Sequence, residues 1–224
     1  MPIKQTSAPA SEPVTLAEAK LHLRVDSSDD DTLITMLIGA ARAAAENICR
    51  RAFITQKWDL FLDGFPRQNF YGIVQTSAQM DQSYSSILQM QRGYAVRFRG
   101  GKIELPFPTL QSVEYVKYRD VTGAWVTLDP SLYVIDNASE PGVLTPAPNQ
   151  CWPDTQNIMN AVQIGYTAGY GDASAVPSGV KSWMLLRLGA LYENREEVAV
   201  GQRIVVLELP FVAGLLDPYV IASF

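Results

Sequence analysis

Three stretches of the chain repeat apolar residues at helical spacing. In the first, Leu16, Ala19 and Leu23 follow Thr15 and Glu18, which stand at capping-box spacing. The second predicts a helix over 31–51. Leu33, Leu37, Ala40, Ala44 and Ile48 form one stripe, and Ile34, Ile38, Ala41 and Ala45 widen it. Asp26 and Asp29 to Asp31 precede this helix, where Asp caps and carboxylates meet the positive dipole end; Arg50 and Arg51 stand in its last turn. The third begins near Pro177-Ser178, with Val180, Met184, Leu188 and Leu191 in line and Leu185 and Tyr192 beside them. The expected helical core is Leu16, Leu23, Leu37, Ile38, Ala41, Ile48, Met184, Leu188, Leu191 and Tyr192.

Between the second and third helices the period changes to two. Trp58, Leu60 and Leu62 alternate with Lys57, Asp59 and Phe61, the pattern of a half-buried strand. Strand signals return at Lys102–Leu105, Ser112–Tyr118, Ala124–Leu128, Leu132–Ile135 and Ala161–Tyr166, with a hairpin turn at Asp120–Gly123. Residues 141–153 are broken by Pro and Gly and read as a loop. Residues 67–100 hold no sustained period and read as an extended loop or long hairpin, with Tyr94–Arg99 a candidate strand.

The expected fold is α+β: a small bundle of three main helices, an inserted and mainly antiparallel β domain, and an extended C-terminal tail. Residues 1–13 are a flexible leader. Residues 14–54 and 171–200 make the helical domain, 55–170 the β domain and 201–224 the C-terminal arm. The arm is apolar, short and broken by Pro210 and Pro218, so it needs a surface to lie on.

Composition narrows the function by exclusion. With 47% hydrophobic and 18% charged residues, the chain is no disordered protein. Cys49 and Cys151 are the only thiols, too few for a disulfide scaffold. No apolar run nears the roughly 20 residues of a membrane span, and residues 1–13 lack a signal-peptide core. These features place the chain in a reducing cytoplasm. A net charge of −5 argues against tight static binding to nucleic acid, though not against a locally basic face.

Candidate chemistry is sparse. His22, the single histidine, needs a nucleophile or carboxylate brought to it by the fold; a partly exposed helix histidine is the simpler reading. Two Cys and one His do not complete a four-ligand zinc site. The 26–31 acidic run lacks EF-hand spacing and reads as helix capping. The glycines of 166–171 have no following Lys-Ser/Thr and read as a turn. Trp58, Tyr115, Tyr118, Trp125 and Tyr133 suit either a sugar or peptide groove or cross-strand packing, and packing is preferred. No catalytic residue, metal-ligand set or cofactor site is read from the chain.

The ordered motifs resemble the head–tail connector (adaptor, or head-completion) proteins of long-tailed double-stranded DNA phages and gene transfer particles. The opening is Val14–Lys20 with Leu23–Asp26. Then come Asp30-Asp31, Leu37-Ile38, Ala40–Arg42, Glu46 and Arg51–Gln56. Trp58, Leu62–Pro66, Ile103–Pro106, Val113, Tyr118–Asp120 and Gly123 follow. Tyr166–Tyr170, Val176-Pro177 and Leu191–Glu196 close the body, and Leu209–Phe211 with Leu215–Tyr219 form the tail. The chain departs from the family pattern in 67–100 and after Tyr219.

The resemblance implies a structural, non-enzymatic protein of the virion neck, made in the host cytoplasm. It implies a ring of about twelve copies under the portal protein, joined head to tail. Such a ring extends the DNA channel and offers a docking surface to the next neck or tail protein, a stopper or tail terminator. Genomic DNA passes through without sequence-specific binding, and no membrane is involved. In this frame the arm is expected to bind the portal or a neighbouring subunit through Ile204, Val206, Leu209, Phe211, Leu215, Leu216, Pro218 and Tyr219. Ile204–Leu207 would add as a strand to a partner edge; the alternative is an arm folded back on its own helices. Two other readings stay open: a carbohydrate- or peptide-binding module using the β-domain aromatics, and another neck protein such as a stopper or tail terminator.

Overall fold

A computed structural model of the chain describes residues 2–66, 101–194, 212 and 214–221. Its first helix, α1 (Leu16–Leu23), starts where the capping box predicts. The Thr15 hydroxyl accepts the Glu18 N–H at 3.2 Å, and the Glu18 carboxylate accepts the Thr15 N–H at 2.7 Å. Arg24 stops it in the left-handed conformation, φ 58°.

Helix α2 (Asp31–Cys49) follows, but Asp30 does not cap it through its side chain. That carboxylate instead accepts the Tyr192 hydroxyl of α3 (Ser178–Glu193) at 2.5 Å. The buried stripe of α2 is Ile34, Ile38, Ala41, Ala45 and Cys49. It lies one residue round from the stripe led by Leu33. Ile48, expected in the core, is therefore 50% exposed. Both stripes are apolar, so periodicity alone does not choose between them; packing against α1 and α3 does. Of the other expected core residues, Ile38, Ala41, Met184 and Leu188 are buried. Leu16, Leu23, Leu37 and Tyr192 pack on them half-buried, and Leu191 is half-buried.

Among the described residues the β part contains eight strands. β1 (Ile3–Ser7) pairs antiparallel with β2 (Gln56–Leu62), Ile3 facing Leu60. This corrects the leader reading of 1–13. β1 buries little and is held by β2 backbone and by a Gln5–Gln56 side-chain bond at 2.7 Å, so no apolar pattern announces it. β3 (Ile103–Leu105), β4 (Leu110–Arg119), β5 (Trp125–Thr127), β6 (Tyr133–Asp136) and β8 (Val162–Ala168) fall on predicted strands. β7 (Gly142–Pro146) falls in the expected loop: flanked by Pro141 and ending on Pro146, it carries only Val143 and Leu144 as strand signal. The candidate strand at 94–99 lies outside the described residues.

The strands form a five-stranded sheet, β1-β2-β8-β4-β5, and a three-stranded sheet, β3-β7-β6, all neighbours antiparallel. Leu60, Leu62, Val116, Val162, Ile164 and Tyr166 of the first share a core with Ile103, Leu105, Tyr133 and Leu144 of the second. Three helices and two antiparallel sheets make the fold α+β. Each of the two parts has its own apolar core.

Candidate interaction surfaces

The C-terminal residues close the helical core. Leu216 is 2% exposed within it, and Val212, Leu215 and Tyr219 pack beside it. A 3-10 turn at Asp217–Tyr219 leads to Ile221, whose N–H donates to the Cys49 carbonyl at 3.1 Å. Of the residues expected to anchor on a partner, Leu215, Leu216 and Tyr219 thus lie on their own helices, and Pro218 is exposed. Their spacing is that of a short turn, and the nearest apolar surface is intramolecular. Ile204, Val206, Leu209 and Phe211 lie outside the described residues.

Arg51 ties this segment to Glu140, in the loop before β7, and to Tyr170 beside the helical core. It is 4% exposed and lies past the end of α2 instead of in its last turn. Its guanidinium forks onto Glu140 at 2.6 and 2.8 Å, donates to the Tyr219 carbonyl at 3.1 Å and sits 5.4 Å from the Tyr170 ring centre. Hydrogen bonding to this cation holds the Glu140 carboxyl below the usual range. Sequence reasoning missed the role, because Glu140 is 89 residues away and Tyr219 168.

The outer face of the five-stranded sheet is polar. Tyr115 lies across Gly165, where a Cβ would come within 2.5 Å of its ring, and its hydroxyl donates to Asp59 at 2.7 Å. Gln163 donates to the same carboxylate at 2.8 Å. Desolvation and the Asp59 contact push the Tyr115 hydroxyl up to about 12. Glu114 pairs with Lys57 at 2.7 Å and accepts from Thr167 at 2.9 Å. Lys117 sits 4.5 Å over the Tyr115 ring, and the Arg119 guanidinium 4.7 Å over Trp125.

These placements bear on the groove reading. Trp58 stacks on Phe107 at 4.4 Å, Tyr118 meets Phe65 edge-on, and Tyr133 is buried. Of the five aromatics Trp125 is the most open, 46% exposed, and Arg119 lies over its ring. They do not share one open face. His22 is exposed on α1, with the Gly189 backbone of α3 its near neighbour. Among the described residues no group of three or more His, Cys, Asp or Glu side chains is placed to hold a metal ion, and no helix is long and apolar enough to cross a membrane.

Both flanks of 67–100 meet at one residue. Phe65 stacks on Trp152 at 4.7 Å, and the Trp152 indole N–H donates to the Gly101 carbonyl at 2.6 Å. Close by, the 156–160 loop bonds to the end of β4, the Gln156 N–H donating to the Arg119 carbonyl at 3.1 Å. Exposed apolar side chains gather here: Val121, Trp125, Ile158 and Met159.

Helices, sheets and the folded-back segment together have known counterparts. Residues 13–117 match the family of phage gp6-like head–tail connector proteins. The resemblance read from the motif order is borne out by that match. Over its whole length the chain is also similar in fold to proteins of solved gene transfer agent particles. One lies in the neck of an empty particle computed with C6 symmetry: TM-score 0.70, 19% identity, covering 100% of this chain and 97% of that one. Another lies in the virion of a native particle, with TM-score 0.69 and 18% identity over the same shares. A third, in the neck of a native particle computed with C12 symmetry, has TM-score 0.64 and 19% identity, again over 100% and 97%. At such identities the likeness shows a shared fold. Among curated proteins none matches the chain significantly.

Proposed function

We propose that this chain is a structural head–tail connector of a virion neck, forming a ring under the portal protein. The observation that carries the reading is the fold likeness to neck proteins, which covers 100% of this chain and 97% of theirs. The connector match over 13–117 supports it independently. Particle necks solved with C12 and C6 symmetry favour rotational assembly, with about twelve copies joined head to tail. The role is assembly and not catalysis. A stopper or tail terminator is the nearest competing neck role; those proteins are mostly β barrels, whereas α2 and α3 frame the sheets of this chain.

In this reading the ring continues the DNA channel and presents a surface to the next neck or tail protein. At −5 per chain, about twelve copies carry a formal charge of about −60. A wall of that sign lets DNA slide without sequence-specific binding. Ile204, Val206, Leu209 and Phe211 then serve as contacts to the portal or a neighbouring copy, while 212–221 stay on their own core.

Electron microscopy of the purified protein mixed with its portal tests the reading. A ring stacked on the portal is expected; a free monomer beside bare portals overturns it. Replacing 203–209 with Gly and Ser at equal length tests the arm. The anchored Leu216 segment stays in place, so the body should remain folded while portal capture is lost.

A further inference from the structure

Among the described residues, three of the four outermost strands carry features that discourage further pairing. β1 has Lys4 and a register shift between Gln5 and Ser7, and β3 and β5 are three residues each. β6 has none of these. Tyr133–Asp136 runs in unbroken register with β7, contains no Lys or Pro, and leaves Val134 47% and Ile135 38% exposed. The Ala147 N–H donates to the Leu132 carbonyl at 3.0 Å, which sets the phase of this ladder. Alternation then turns Val134 and Asp136 toward β7, and the N–H and C=O groups of Tyr133 and Ile135 outward. Among the described residues no strand lies on that side.

We propose that this edge receives the Ile204–Leu207 run of a second copy, added as a fourth strand to the β3-β7-β6 sheet. The inference rests on the ring-forming reading and names the contact that would join neighbours. Three observations favour this occupant. Ile204-Val205-Val206-Leu207 is uncharged and three-quarters β-branched, matching the four residues of β6. Chain length allows the reach. α3 has 16 residues and so spans about 24 Å; the helix ends at Glu193, and Val212 and Leu215 lie back on the helical core, Leu215 beside Gly179 near the helix start. The intervening residues 195–211 can extend about 55 Å, roughly twice that gap. Finally, a closed ring needs a donating and a different receiving surface on each copy, and the arm and the β6 edge are such a pair.

The test uses full-length protein with Cys151→Ser, so that the remaining native thiol, Cys49, is buried. One preparation carries Ile135→Cys; others carry Ile204→Cys, Val205→Cys or Val206→Cys. Oxidation of mixed preparations should give covalent dimers for at least one pairing, absent when each is oxidised alone. In parallel, Ile135→Pro removes an outward N–H and no bond to β7; self-association should weaken about tenfold or more. Ile135→Lys replaces it if the proline variant loses its far-ultraviolet spectrum. Cross-linking of Ile135→Cys to itself, or only within one chain when both cysteines are present, overturns the proposal. Normal rings from the β6 variants without mixed dimers also overturn it, while leaving the connector reading intact. Absence of any ring, with or without portal, removes both.

Discussion

The helical bundle and the β sandwich are completed in different ways. The bundle is built from helices with clear local signals, yet its core stays open until Leu216 arrives from the far end of the chain. The sandwich closes on itself: β8 sits between β2 and β4 and contributes Val162, Ile164 and Tyr166 to the core. Among the described residues its outer face carries polar contacts such as Tyr115–Asp59 and no second layer. The terminal segment of the bundle is therefore expected to detach before the rest unfolds, and β8 is not.

The largest expected effect lies where the two parts join. Gly169 has φ +125°, and a Cβ there would stand 2.4 Å from the Ile54 carbonyl oxygen. Neither backbone can yield, so Gly169→Val should cost about 4 kcal/mol or more, read as a lower urea midpoint or insoluble protein. Next comes a paired test of the comparison itself. Leu188→Ala, inside α3, should cost about 3 kcal/mol of global stability. Leu216→Ala should cost the whole molecule less, because the segment detaches first; hydrogen exchange should quicken at Ile221 while the global midpoint moves little. Equal losses from both would show that the segment is no separate unit.

Arg51→Met should cost about 2 kcal/mol, since it strips the partner from Glu140 and the Tyr219 carbonyl. The pH dependence has a definite sign. Glu140 has a lowered folded-state pKa, so its contribution is present above the ordinary Glu range and is lost as pH falls through the lowered value. Acid titration of stability should lose that limb in Arg51→Met. Tyr115→Phe is the smallest change, about 1 kcal/mol. The Tyr115 hydroxyl is raised from 10 to about 12, so its contribution holds below pH 10 and disappears as pH rises toward 12. The phenylalanine variant should lack that alkaline loss in a stability-versus-pH series.

The sequence was most legible where the signal is local. Thr15 and Glu18 mark the start of α1 because a capping box needs only four residues. The six predicted strands β2, β3, β4, β5, β6 and β8 carry their own alternation or β-branched runs. β1 and β7 escaped notice, because pairing with β2 and with β3 and β6 makes them strands, and few of their side chains do. The face of α2 was ambiguous for a similar reason: with Leu33, Ile34, Leu37, Ile38 and Ile48 all apolar, only the neighbours reveal that Ile48 faces out.

The candidate surfaces divide along the same line. The absence of a motif for chemistry, the order of the connector motifs and the apolar character of 201–224 are properties of the chain as written, and the sequence alone determined them. Where Leu215, Leu216 and Tyr219 lie, what neutralises Arg51, and which strand edge has no neighbour among the described residues depend on groups tens to more than a hundred residues apart. Burial and hydrogen bonding act on distance in space, which a one-dimensional pattern does not contain. Those assignments were decided by the tertiary structure.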